Sequence, residues 1–142
     1  MKKWRFSLSI FLFVCVTCLA QQRDESAIRK ILSSQIEAWN NGQLTEFMEG
    51  YWNNDSLIFI GKSGVTKGWS KTLERYKKIY PDTVSMGKLA FEILKTERLS
   101  EIYFFVIGKW HLTRSVGNLE GHFSLLFKKI NNEWFIIADH SS

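Results

Sequence analysis

The side chains that could move a proton or hold a metal are few: three histidines, His111, His122 and His140, and fourteen acids, of which Asp139 is the most suggestive. Asp139 and His140 are adjacent and look like an acid–base dyad. Neighbours on a strand point to opposite faces, however, so these two side chains diverge and only one can enter a core. His111, His122 and Asp139 have the composition of a two-histidine, one-carboxylate metal site. Ordinary polarity at an interface explains them as well, and the sequence assigns no metal and no cofactor. Gly61–Lys62–Ser63 has the ending of a phosphate-binding loop, but the leading glycine would be Ser56 and no helix follows directly, which leaves a hairpin turn.

Aromatic side chains are the other chemical resource. Trp39, Tyr51, Trp52, Trp69, Tyr76 and Trp110 are many for so short a chain. Indole and phenol groups can line a pocket for a flat or apolar molecule and orient it through N–H and O–H donors. They can equally fill the wide part of a core. Tyr51 and Trp52 are the best placed to line an opening, because they close a short helix just before a strand.

The elements that must position these residues follow from hydrophobic spacing. Ile28, Ile31, Leu32, Ile36 and Trp39 recur at helical intervals and stop at Asn40–Asn41–Gly42. Leu44, Phe47, Met48 and Tyr51 mark a short second helix, and Leu57–Ile58–Phe59–Ile60 a buried strand returning through Val65–Thr66–Lys67. A third helix spans about Trp69 to Tyr80 and ends at Pro81, its Lys71, Arg75, Lys77 and Lys78 forming a solvated face. Beyond Met86 the pattern is of strands alone: Lys88–Glu97, Ile102–Arg114, Leu119–Ile130 and Trp134–Ser141. Helices followed by a meander of long strands define an α+β domain with helices on one face of an antiparallel sheet.

Two turns set the expected register. A four-residue loop Ser115–Asn118 puts His111 opposite His122, and a two-residue primed turn at Asn131–Asn132 puts Phe123 opposite His140. On that register Phe104, Val106, Trp110, Phe123, Ile136 and His140 share an almost wholly apolar inner face. Phe105, Ile107, Lys109, His111, His122 and Asp139 share a mixed outer face, whose composition fits a sheet-to-sheet homodimer. His140 is then either an acid–base or ligand-orienting group kept neutral by burial, or a histidine bonded to a helix carbonyl.

Residues 1–20 read as a secretory signal peptide: Met1–Lys2–Lys3–Trp4–Arg5 is basic, Phe6 to Val16 is apolar, and Cys18–Leu19–Ala20 places small residues at minus three and minus one of a cut before Gln21. The run is short for a membrane span. The remaining 21–142 make one domain, expected to be secreted or periplasmic. The net charge of +5 falls to +2 once Lys2, Lys3 and Arg5 leave, against 14 acids and 16 remaining bases. A nearly balanced domain lacks the basic face that nucleic acid requires. Cys15 and Cys18 both leave with the signal, removing disulfides and thiolate metal sites.

The order of these elements resembles the nuclear transport factor 2-like superfamily, and within it small SnoaL-like bacterial domains of unknown function. The resemblance covers residues 24–142 and rests on Ala38–Trp39–Asn40–Asn41–Gly42, Leu44–Thr45–Glu46–Phe47–Met48 and Tyr51–Trp52. It rests further on Gly108–Lys109–Trp110, Gly121–His122–Phe123, Trp134–Phe135–Ile136 and Asp139–His140–Ser141–Ser142. It implies a cone, three N-terminal helices packed on a strongly curved antiparallel sheet, with a pocket that in different members takes different small molecules. The aspartate base of the ketosteroid isomerase branch would fall on Ile60, which cannot accept a proton. Fold alone does not assign chemistry. The expected function is therefore a small-molecule-binding domain for an apolar or amphipathic ligand, lined by Trp39, Tyr51, Trp52, Trp69, Trp110, Phe123 and His140. The alternatives are a lyase, isomerase or cyclase with His140 as acid–base, and a non-catalytic dimerisation module.

Overall fold

A computed structural model describes the backbone of residues 7–142 and the side chains of residues 20–142. The basic opening Met1–Arg5 of the expected signal lies outside the described residues. The chain runs α1 (Ser7–Asn40), α2 (Leu44–Phe47), a 3-10 turn (Met48–Gly50), β1 (Ile58–Gly61), β2 (Gly64–Lys67), α3 (Trp69–Ile79), α4 (Thr83–Met86), β3 (Lys88–Arg98), β4 (Tyr103–Thr113), β5 (Leu119–Ile130) and β6 (Glu133–Ser141). Among the described residues no helix is long and apolar enough to cross a membrane.

Six strands form one curled sheet in the order β2-β1-β6-β5-β4-β3. The expected strand boundaries hold to within a residue or two, but the sheet is mixed rather than wholly antiparallel, because β1 runs parallel to β6. The α4 turn was not legible as a helix; Asp82 caps it, accepting from the Ser85 amide at 2.7 Å in a reciprocal capping box.

The helices cover the concave face. Ile28, Leu32, Gln35 and Trp39 of α1 fall on one buried stripe at three- and four-residue intervals. They meet Phe104, Val106, Phe127 and Ile136 of the sheet in a single core. The polar members of the stripe are paired. Gln35 donates to the Phe47 carbonyl at 3.1 Å, and the Asn40 amide group closes two bonds with the backbone of Leu89, continuing the pairing where the helix stops. Asp24, also buried, accepts from Lys129 Nζ at 2.8 Å and Trp134 Nε1 at 3.1 Å, with Arg98 at 3.6 Å. Burial alone would raise its pKa, but the bonds from Lys129 and Trp134 and the charges of Lys129 and Arg98 outweigh it and hold the carboxyl low.

The β4–β5 pairing is displaced by two residues from the expected register. Leu112 faces Leu119, so His111 faces Glu120 and His122 faces Lys109. A displacement of two leaves every side chain on its expected face. Asn131 and Asn132 both take positive φ (49° and 67°), as a primed two-residue hairpin requires, and Ile130 faces Glu133. Further along β6 the register breaks: Phe127 faces Ile136, but Leu126 faces Ala138, leaving Ile137 as an extra residue. Beyond it the faces exchange. Asp139 is buried, 3 % exposed, and His140 is exposed. The expectation of an inward His140 opposite Phe123 is therefore corrected: Ser141 holds that place, and His140 lies beside Ser124 and Ile60 on the outer side.

Replacing Asp24 with Ala leaves Lys129 and the Trp134 indole N–H without their acceptor. We expect a loss of about 2 kcal/mol of unfolding free energy by denaturant titration at pH 7. Because Asp24 has a lowered folded-state pKa, its contribution is present at neutral pH and lost as the solution is acidified; the variant's deficit should shrink below about pH 4.

Candidate functional site

The seven aromatic and histidine positions expected to line a pocket do not converge on one cavity. Trp39 is a core residue. Its indole donates to the Met86 carbonyl at 3.1 Å, and its ring meets Phe47, Tyr76 and Tyr80 edge-on at 5.1, 5.9 and 4.9 Å between centroids. Tyr76 continues the cluster to Phe59 at 5.6 Å. These rings fill the region between α1, α3 and β1.

Trp110 and Phe123 rest on glycines. A Cβ added to Gly108 would come 2.3 Å from Phe123 Cζ and 2.7 Å from the Glu92 carbonyl oxygen, and one added to Gly121 would strike the Ser142 backbone. Phe91 packs edge-on against Phe123 at 5.1 Å. The buried Trp110 Nε1 has no partner among the described residues.

Tyr51, Trp52 and Trp69 do come together. They line a groove of about 370 Å3 where the 3-10 turn, the start of α3 and the β5–β6 hairpin meet. The bridge that pairs Tyr51 with Ile136 turns Tyr51 to the core and leaves Trp52 partly exposed. Trp69 is fixed by an indole bond to the Met48 carbonyl at 2.8 Å. Phe135 completes the aromatic wall, and Glu49, Glu133, Asn53 and Asn131 supply the polar rim. A second hollow of about 410 Å3 adjoins it, sharing Glu49, Glu133 and Phe135. Glu49 and Glu133 are absent from the sequence expectation, since surface acids beside a hairpin carry no local pattern.

Behind the groove lies a buried polar cluster. The Tyr51 hydroxyl donates to Asp139 Oδ2 and the Ser141 hydroxyl to Oδ1, each at 2.7 Å. Burial raises the Asp139 pKa to about 6, although the bonds from Tyr51 and Ser141 and the charge of His140 oppose it. Burial, then the Asp139 charge, raises Tyr51 well above the usual phenol value, and the same two causes raise Tyr76. Asp139, expected on the outer face with His111 and His122, is thus on the other side of the sheet from them. His111 instead meets Glu120 at 3.0 Å. Among the described residues no three metal-ligating side chains gather.

Asp139 binds its proton more tightly folded than unfolded. Its contribution therefore favours folding at low pH and is lost as pH rises from about 4 through about 6, a swing of about 3 kcal/mol at most. Asp139→Asn keeps both hydrogen-bonding partners and removes the charge. It should equal the native protein in stability near pH 4 and exceed it by about 1–3 kcal/mol at pH 7–8, read from denaturant midpoints across that range. Equal stability at every pH would show that the carboxylate carries no burial penalty.

No protein-family model and no curated protein matches the chain. Solved structures do. An NTF2-like protein of unknown function from Shewanella oneidensis MR-1 shares 42% identity and superposes with a TM-score of 0.81, over 84% of this chain and 98% of that one. A ketosteroid isomerase-like protein from Erwinia carotovora atroseptica SCRI1043 (16% identity, TM-score 0.64, 82% and 93% of the two chains) and LinA (15%, 0.73, 87% and 88%) share the fold alone. With the cone, the strand order and more than two-fifths of positions shared over nearly the whole of the Shewanella protein, the chain belongs to the nuclear transport factor 2-like family.

Proposed function

We propose that this NTF2-like domain binds a small apolar or amphipathic molecule in the groove walled by Trp52, Trp69 and Phe135. The observation that carries the reading is that three separate segments bring partly exposed aromatic rings to one concavity, while Trp39, Phe47, Tyr51 and Tyr76 are packed on each other. Aromatic walls with a few polar groups at the rim are what ligand sites share. Acid–base chemistry has less support. His140, the expected catalytic group, is exposed on the outer side of the sheet, and Asp139 is enclosed behind Tyr51.

The outer face is the surface for self-association. Phe105, Ile107 and Leu126 are half-buried there among Lys109, His111 and Lys128, a mixture that suits a homodimer interface. Export to the periplasm or the medium is proposed on the leader sequence, with Gln21 as the first mature residue.

Two measurements test this. With residues 21–142, the neutral dye Nile red should bind with a blue-shifted emission and raise the thermal midpoint, and Trp52→Ala should weaken binding about tenfold. No binding, or binding indifferent to Trp52, rejects the groove. Native mass spectrometry of the protein exported from its own host should give twice the mass of residues 21–142, falling to that of one chain in Ile107→Asp. A native monomer, or a chain retaining residues 1–20, rejects the corresponding proposal.

A further inference from the structure

The charge around the groove narrows the class of ligand, given the reading that this groove is the binding site. Its lining holds two carboxylates, Glu49 and Glu133, and no lysine or arginine. Among the described residues neither carboxylate makes an ion pair or a side-chain hydrogen bond, a state they share with Glu37, Glu46, Asp55, Glu74 and Glu101, so neither is neutralised by the protein's own cations. The adjoining hollow adds Glu46 against a single lysine, Lys30. Lys128 is the cross-strand neighbour of Phe135, but its Nζ lies 5.7 Å from the Tyr103 ring and it is not among the residues that line the groove. Six other bases cluster in one segment of the chain. Residues 62–79, covering the β1–β2 hairpin and α3, hold Lys62, Lys67, Lys71, Arg75, Lys77 and Lys78 against Glu74 alone.

We infer that the groove accepts an organic cation, an amine or quaternary ammonium carrying an apolar portion. Aromatic faces attract such a group through their quadrupoles and cover its methyl or methylene surface. Trp52, Trp69 and Phe135 provide the faces, and Glu49 and Glu133 provide the opposite charge at the rim. Asn53 and Asn131 offer carbonyl oxygens to an N–H donor where the cation is a primary or secondary amine. An anion would meet two carboxylates without a cationic partner, so the same lining selects against acidic ligands.

Three probes of one shape separate charge from shape: choline, its neutral isostere 3,3-dimethylbutan-1-ol, and 3,3-dimethylbutanoate. With residues 21–142 labelled with 15N, choline should shift the Trp52 and Trp69 indole N–H signals, leave those of Trp39 and Trp110 in place, and bind about tenfold more tightly than the alcohol at low salt. The carboxylate should bind least. Glu49→Gln with Glu133→Gln, both exposed and neutral to folding, should bring choline to the level of the alcohol, and added salt should do so partly. If alcohol and choline bind alike, or the carboxylate binds best, the cation assignment is overturned while the groove stands. If none of the three moves the Trp52 signal but Nile red still binds in a Trp52-dependent way, the cation assignment again falls alone. If Nile red also fails to bind, the groove falls with it.

Discussion

One extra residue in the last strand decides what the middle of this molecule contains. Ile137 is accommodated by a break in the β5–β6 ladder, and from there to Ser141 each side chain changes sides. A carboxylate is thereby carried into the core and an imidazole out of it. The carboxylate cannot stay there unsupported, since an isolated buried charge is costly. Tyr51 and Ser141 each donate to one of its oxygens, and Tyr51 in turn is held by its bridge to β6. The bulge, the tyrosine and the aspartate therefore stand or fall together. They join the segment between the 3-10 turn and β1 to the strand that completes the sheet.

The same cluster explains why the hollow lies at the rim of the cone rather than inside it. Tyr51, Tyr76, Phe47, Phe59, Trp39 and Tyr80 meet in a chain of edge-on and tilted contacts, with centroids 4.9 to 5.9 Å apart along most of its length. Such pairs are favourable beyond the area they bury. Their polar atoms are also engaged: the Trp39 indole reaches a backbone carbonyl and Tyr51 reaches Asp139. Rings committed in this way hold the walls of the groove in place. Trp69, fastened to the Met48 carbonyl, is the point where this packing meets the surface.

Much of the fold was legible because its signals are local. Helical spacing over Ile28–Trp39, the stop at Asn40–Asn41–Gly42, and the paired asparagines at the last hairpin each act within a few residues. Outward and inward faces of β4 and β5 survived an error of two in the loop because side-chain alternation has a period of two. The candidate site was less legible, and β6 shows why. Trp134–Phe135–Ile136–Ile137–Ala138 is apolar throughout, so its pattern does not mark where alternation breaks, and the expected His140 and Asp139 positions were exchanged as a result. The parallel pairing of β1 with β6 and the acids at the groove depend on distant parts of the chain, which local spacing does not record.

That parallel pairing also has a kinetic meaning. Ile58 lies beside Ala138 and Ile60 beside His140, eighty positions apart, whereas the meander from β3 to β6 is joined through hairpins. Contacts between near neighbours close early and cheaply, and those that must enclose a long loop close late. The β3–β6 meander can thus assemble as a nucleus while β1, β2 and α3 remain outside it. The pairing of β1 with β6, in which Phe59 lies beside the Asp139 that Tyr51 bonds, is the longest-range pairing of the sheet.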